Sequence, residues 1–346
     1  MDSRQQQALY DELEKRFGRR IADAFREAID ELTRAADIER AITALVLGNI
    51  DAALDAMHID AAAYGPLADA IRDSFNAAGQ MGVATMPPLL DASGASIFIR
   101  YNGRAPSAEA WLRDHSSRLI TRTVEDQKRA VRAALVESLE RGRNPRATIP
   151  EIVGRYDPRT RKRVGGILGL TVPQERWVEN ARRELASADP KDLKHYLTRQ
   201  ARDKTFDRAV QRAIKDGKPL PADVARKALE GLKSGLLRVR ADTISRTEVL
   251  TSLNAGKFQA YIQAVDDGSL DPLSATKVWR DSADNDVRHT HRALSSESVR
   301  LLEPFRSPSG ALMMFPGDTS LGAGPDEIIL CRCRFEVRID RLRNLQ

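Results

Sequence analysis

Residues 236–265 read LLRVRADTISRTEVLTSLNAGKFQAYIQAV. An apolar series through Ile244, Val249, Leu253, Phe258 and Ile262, with no proline to break it, predicts one long helix from about Leu236 to Val265. Asp266-Asp267-Gly268 then stops the pattern, and the composition changes. Short β-like pieces at 276–280, 299–302, 312–315 and 331–339 alternate with Gly, Pro, Ser and Asp. This boundary sets the expected fold class: mainly α, with long helices in the N-terminal and middle regions and a small C-terminal α+β domain.

Working back from that helix, the chain reads as further helices. Leu9, Leu13, Phe17, Ile21, Phe25, Ala28 and Leu32 lie three and four apart, one stripe of an amphipathic helix. Asp37 reads as the N-cap of a second helix, and a third is expected over 64–78. Periodicity fails between Gly79 and Pro106, where Ser96 to Tyr101 is the one strand-like run. Ser107 is placed to cap a long helix carrying Trp111, His115, Leu119, Val131 and Leu135, which Gly142 and Pro145 stop. A basic loop is expected over 155–163, followed by paired glycines at 165 and 166 that read as tight turning rather than as a phosphate loop. Thr171-Val172-Pro173-Gln174 supplies a capping box, and helices are expected over 189–198, 204–215 and 222–232. The expected organisation is an N-terminal helical arm over 1–80, a joint over 81–106, a basic helical region over 107–235 and an α+β domain over 236–346.

The 346 residues include 42% hydrophobic and 30% charged side chains, ordinary values that exclude global disorder. No run approaches the roughly 18 apolar residues of a membrane span, and the first residues lack a signal-peptide pattern, so a soluble cytoplasmic protein with no membrane partner is expected. The two cysteines, Cys331 and Cys333, make no disulfide framework and fit a reducing compartment. The net charge of +6 is unevenly spread. Residues 1–100 hold 10 basic and 16 acidic side chains, 101–240 hold 32 and 18, and 241–346 hold 13 and 15. Such a basic middle suits either a phosphate backbone or an acidic protein surface, and it equally describes a solvated Arg-rich face. Within it, Arg159, Arg161, Lys162 and Arg163 are the candidate DNA contacts.

Several short pieces in the last third occur in a recognisable order. They are Arg246-Thr247-Glu248 on the long helix, Trp279-Arg280-Asp281 on a strand, Arg288 and His291, Phe315-Pro316-Gly317-Asp318, and Cys331-Arg332-Cys333. In this order they resemble the phage Mu F-like minor head proteins, also called head morphogenesis proteins, over roughly residues 236–338. Gly165 to Thr171 and Arg202 to Asp207 look like the helical region of prophage relatives, extending the resemblance to about residue 107. The chain departs from the family pattern at Asp286, where relatives have Arg, and at Ser295-Ser296, where they have Gly. The resemblance implies a minor head protein of a tailed phage or prophage, acting at the portal vertex in head morphogenesis, DNA packaging or DNA delivery. It further implies portal and other head proteins as partners, packaged double-stranded DNA nearby, and a location in the host cytoplasm during assembly and then in the virion head.

Read for chemistry, these residues mostly favour structure. Arg246 and Glu248 superficially resemble an ADP-ribosyltransferase pair, but two positions apart on one helix they diverge by about 200°. A salt bridge from one of them to the C-terminal unit is expected instead, with Thr247 facing elsewhere. His291, Cys331 and Cys333 are the only set with metal-ligand character and make a candidate zinc site. Alternate positions on a strand would aim both sulfurs one way, with Asp281, Asp284 or His289 as a fourth donor. The alternative is two packed thiols, with His291 bonded to a backbone carbonyl or an Asp. No catalytic residue is assigned and no other cofactor is expected, since no nucleophile, Walker or metalloprotease signature is present. Two rival readings are a nucleic-acid-cleaving or toxin-like effector centred on His291 and Arg288, and a DNA-binding accessory protein. Trp177 and Trp279 are expected to be anchors, and His115 and His195 core or half-buried histidines.

Overall fold

The computed structural model describes residues 3–91, 93–159 and 162–340. In chain order the first half holds α1 (Ser3–Ala35), α2 (Ile38–Val46), α3 (Ile50–Asp55), α4 (Gly65–Thr85), β1 (Leu89–Leu90), β2 (Ser96–Ile97), α5 (Pro106–Glu140) and α6 (Pro145–Val153). The hairpin β3 (Arg155–Asp157) and β4 (Lys162–Val164) follows, then α7 (Val172–Ala186), α8 (Pro190–Thr198), α9 (Asp207–Asp216) and the 45-residue α10 (Ala222–Asp266). The C-terminal part comprises β5 (Ala275–Arg280), α11 (His289–Leu294), β6 (Ser298–Arg300), β7 (Phe305–Arg306), β8 (Leu312–Met313), α12 (Pro325–Ile328) and β9 (Arg334–Ile339). The protein is mainly α with small antiparallel sheets.

Packing divides the chain into two units built from separated stretches. One unit takes residues up to 24, 67–116 and 243 onward. Its sheet has the antiparallel order β6-β5-β9, with Trp279 opposite Phe335 and Lys277 opposite both Val299 and Val337. Phe75, Tyr261, Trp279, Phe305 and Phe335 are fully or almost fully buried here. Helices α4 and α10 touch backbone to backbone: a Cβ on Gly256 would stand 2.0 Å from the carbonyl oxygen of Phe75. Ser252 Oγ donates to Val249 O at 3.0 Å and is hydrogen-bonded to Ser74 Oγ at 2.9 Å between the same helices. Small residues in both helices are therefore contact points rather than breaks, which explains why α4 runs on past Gly79 to Thr85.

The other unit takes residues 25–66 and 117–242. Asp37 caps α2 by accepting from the Arg40 N–H, and the predicted capping box opens α7. Buried Arg240 donates from Nη1 to Gly169 O at 2.6 Å and lies over the Phe25 ring, which is tilted against Tyr64. The helices expected over 222–232 and from 236 onward are one helix. Gly235 does not break it because it is a close-approach point, where a Cβ would stand 2.0 Å from Ala201 O.

Other expectations are corrected. The basic loop over 155–163 contains the β3-β4 hairpin, with Arg155 opposite Val164. The strand-like run 96–101 forms only a two-residue strand, paired with Leu89–Leu90. Trp177 is half exposed rather than an anchor, whereas Trp279 is fully buried. His195 keeps 66% of its side-chain surface, and its ring bonds to Glu184 at 2.7 Å.

Candidate functional site

The centre of the site is His291, almost completely buried at 1% exposure. It sits in the first turn of α11, and Trp279 of β5 packs edge-on against its ring with centroids 5.1 Å apart. Its Nε2–H donates to Glu327 Oε2 at 2.7 Å, a partner that no spacing rule in the sequence indicates. Glu327 is also buried, and it accepts three further hydrogen bonds: from Ser307 Oγ at 3.0 Å, Ser309 Oγ at 2.5 Å and Thr290 Oγ1 at 3.2 Å. Burial alone would raise the Glu327 carboxyl, but the serines and His291 outweigh it and hold the group below its ordinary range. The expected carbonyl or Asp partner of His291 is thus replaced by a fully bonded glutamate.

With Nε2–H engaged by a carboxylate, the neutral ring turns the lone pair of Nδ1 toward the other side. Cys331 Sγ and Cys333 Sγ each lie 3.5 Å from it. Both thiols are buried and free of disulfide, and the three ligand atoms lie within 4.8 Å of one another. The cysteines occupy the segment just before β9 rather than the strand itself, yet the alternation holds: Arg332 between them is exposed and pairs with Asp284 at 2.7 Å. The segment is fixed from below by Asn254 of α10, whose Nδ2 donates to Cys333 O at 3.0 Å and Pro316 O at 2.9 Å. Its Oδ1 accepts from the Tyr10 hydroxyl at 2.6 Å. Lys257, one turn on, donates to Phe335 O at 2.8 Å, and its burial pushes its pKa down to about 8.

The electrostatics favour one thiolate. A hydrogen bond from Cys333 holds Cys331 well below the usual thiol range, with His291 adding to the effect, while the same bond and burial push Cys333 up. Burial opposes protonation of His291, but Cys331 and Glu327 outweigh it and leave its pKa raised. A His-Cys-Cys cluster of this kind has the donor chemistry to hold a soft divalent metal. The other candidate donors do not join it: His289 is exposed, Asp281 Oδ1 accepts from the Ala283 N–H, and Asp284 pairs with Arg332.

The remaining motif residues are structural in their contacts. Glu248, buried on α10, pairs with His115 of α5 at 2.6 Å, and His115 stacks on Trp111, which stacks in turn on Phe75. Glu248 therefore does not make the expected salt bridge to the C-terminal segment. Thr247 makes that tie instead, its Oγ1 accepting the Leu330 N–H at 3.0 Å. Arg246 is exposed. Arg288 donates from Nη2 to Ile329 O. Gly317 at φ +91° lets the chain pass Thr251, where a Cβ would stand 2.6 Å from Oγ1. Buried Asp318 organises the same turn, accepting from the Met314 and Ser320 N–H groups at 2.8 Å each. Ser296 adopts φ +70°, the left-handed conformation that a glycine would take without strain.

Of the candidate DNA contacts, Arg159 is exposed at the turn of the β3-β4 hairpin. Arg161 and the side chain of Lys162 lie outside the described residues. Arg163 turns inward, donating from Nε to Val153 O at 3.2 Å, and burial pushes its pKa down to about 10. Beside this hairpin a hollow is lined by Arg146, Arg155, Arg182, Arg226 and Lys233 against only Glu151 and Glu230. Arg155 and Arg226 share Glu230, Arg182 pairs with Glu151, and Arg146 makes no ion pair among the described residues.

Residues 204–336 match the family model described as Phage Mu protein F like protein. The matched span contains the whole ordered constellation from Arg246 to Cys333 and begins well after residue 107. No curated protein and no solved structure matches the chain. No helix among the described residues is long and apolar enough to cross a membrane.

Proposed function

We propose that this Mu F-like chain is a minor head protein of a tailed phage or prophage that acts at the portal vertex during head assembly, genome packaging or delivery. The observation that carries this reading is the family match over residues 204–336, a family of phage head morphogenesis. The buried contacts of the motif residues support assembly over chemistry. His291 is almost completely buried, packed against Trp279 and tied to Glu327, the contacts of a residue that holds structure together. Portal and other head proteins are its partners in this reading, reached in the host cytoplasm and kept in the head interior. Co-expression with the portal protein of the same phage tests it: the chain should co-migrate with the portal ring, and a chain that stays free at equimolar portal contradicts the assignment.

Packaged double-stranded DNA is the second partner in this reading, met by Arg159 and the cation-rich hollow beside the β3-β4 hairpin. Neutralising about four phosphates would make affinity fall about 100-fold between 50 and 200 mM salt. Fluorescence anisotropy with a short duplex measures this slope. Arg146→Ala and Arg159→Ala should weaken binding to all sequences alike, and salt-insensitive binding would remove DNA from the reading.

A further inference from the structure

We propose that His291, Cys331 and Cys333 form a structural zinc site, with Glu327 as the carboxylate that orients the histidine. The inference goes beyond the head-protein reading and does not depend on it. Its first support is metric. Zinc bonds of about 2.3 Å to sulfur and 2.05 Å to nitrogen, set at tetrahedral angles, separate nitrogen from sulfur by about 3.5 Å. Both Nδ1–Sγ distances are 3.5 Å, so an ion enters with both thiols already at bonding separation from the imidazole ligand.

The second support is the shell around the ligands. Metal-bound histidines commonly donate their other ring N–H to a carboxylate, which fixes the tautomer and leaves the ligating nitrogen unprotonated. Glu327 does this for His291, and Ser307, Ser309 and Thr290 in turn fix Glu327. A lone buried thiol pair needs no such apparatus. The third is Trp279, whose ring packs edge-on against His291 and whose Nε1–H is buried without a hydrogen-bond partner among the described residues. A zinc-bound sulfur carries the negative charge that this donor lacks as a partner.

Binding follows a balanced exchange: the protons still carried by the two sulfurs and by Nδ1 leave to solvent as two Zn–S bonds and one Zn–N bond form, with no change of oxidation state. Among the described histidines, cysteines and carboxylates, these three are the donors that converge on the point. All three ligands are buried. The site would join α11 to the segment leading into β9, two pieces of chain 40 residues apart.

The test uses the full chain, expressed with supplementary zinc and purified under reductant. Elemental analysis should give about one zinc per chain, and cobalt substitution should give a thiolate-to-cobalt charge-transfer band. Cys331→Ser and Cys333→Ser should each lose the metal, while His289→Ala should retain it. Glu327→Gln should keep the site but weaken it about 10- to 100-fold in chelator competition. A folded wild-type chain with two titratable thiols and no zinc overturns the proposal, as does a Cys331–Cys333 disulfide. Zinc that persists in folded serine variants overturns the ligand assignment.

Discussion

Lys277→Met makes the protein more stable, by about 1–4 kcal/mol at pH 7, the gain expected when a buried charge is replaced by an apolar side chain of similar length. Lys277 lies in the middle of β5 with no exposed surface, and its Nζ has no hydrogen-bond partner among the described residues. What surrounds it is aromatic, with the Phe258 and Phe305 ring centroids 4.9 and 5.3 Å away. Burial drives its pKa down to about 7, against the weaker pull of Asp318 and Glu303. The unfolded chain keeps that proton to about pH 10.5, so between pH 7 and 10 the unfolded state binds more protons and stability rises with pH. Methionine removes this contribution, leaving a shallower rise from Lys233 and Lys257, both held near 8 by burial. Urea unfolding at pH 7 and pH 9 measures both effects. A variant less stable than wild type at pH 7 would show that the cation's contacts with the two rings outweigh its desolvation.

Trp279→Ala costs about 3–5 kcal/mol, the range for deleting a large buried aromatic. Trp279 is fully buried and meets two rings edge-on, Phe305 at 5.2 Å and His291 at 5.1 Å, so truncation opens a cavity between the sheet and the histidine. Its neighbours are held by backbone pairing on both sides of β5 and have little freedom to collapse inward. Thermal unfolding followed by circular dichroism gives the loss. A change below about 1 kcal/mol would mean that the core of this unit lies elsewhere.

The sequence was most legible where the determinants are local. The Asp37 cap, the Thr171 to Gln174 capping box and the Trp279 strand each depend on a few consecutive residues, and each forms where their chemistry dictates. Glycine was the main source of misreading. Gly79 and Gly235 look like interruptions in one dimension, but each is a close contact, with the Tyr101 ring or the Ala201 carbonyl, residues remote in the sequence. Glu327 was illegible for the same reason. It lies 36 residues from His291 in a four-residue helix, where an acidic residue in the first turn after a proline reads as ordinary helix-start chemistry. Thr247 shows the limit of reading charge: between two charged neighbours, the uncharged side chain makes the tie to Leu330 because the exposed arginine and the histidine-bound glutamate are turned elsewhere.

The copy number of this chain in purified phage particles tests the proposed head role most directly. Quantitative mass spectrometry against the portal and major shell proteins should find a few copies for each portal ring, in a ratio that stays constant between preparations. Absence from particles, with the protein left free in the lysate, would contradict a minor head protein.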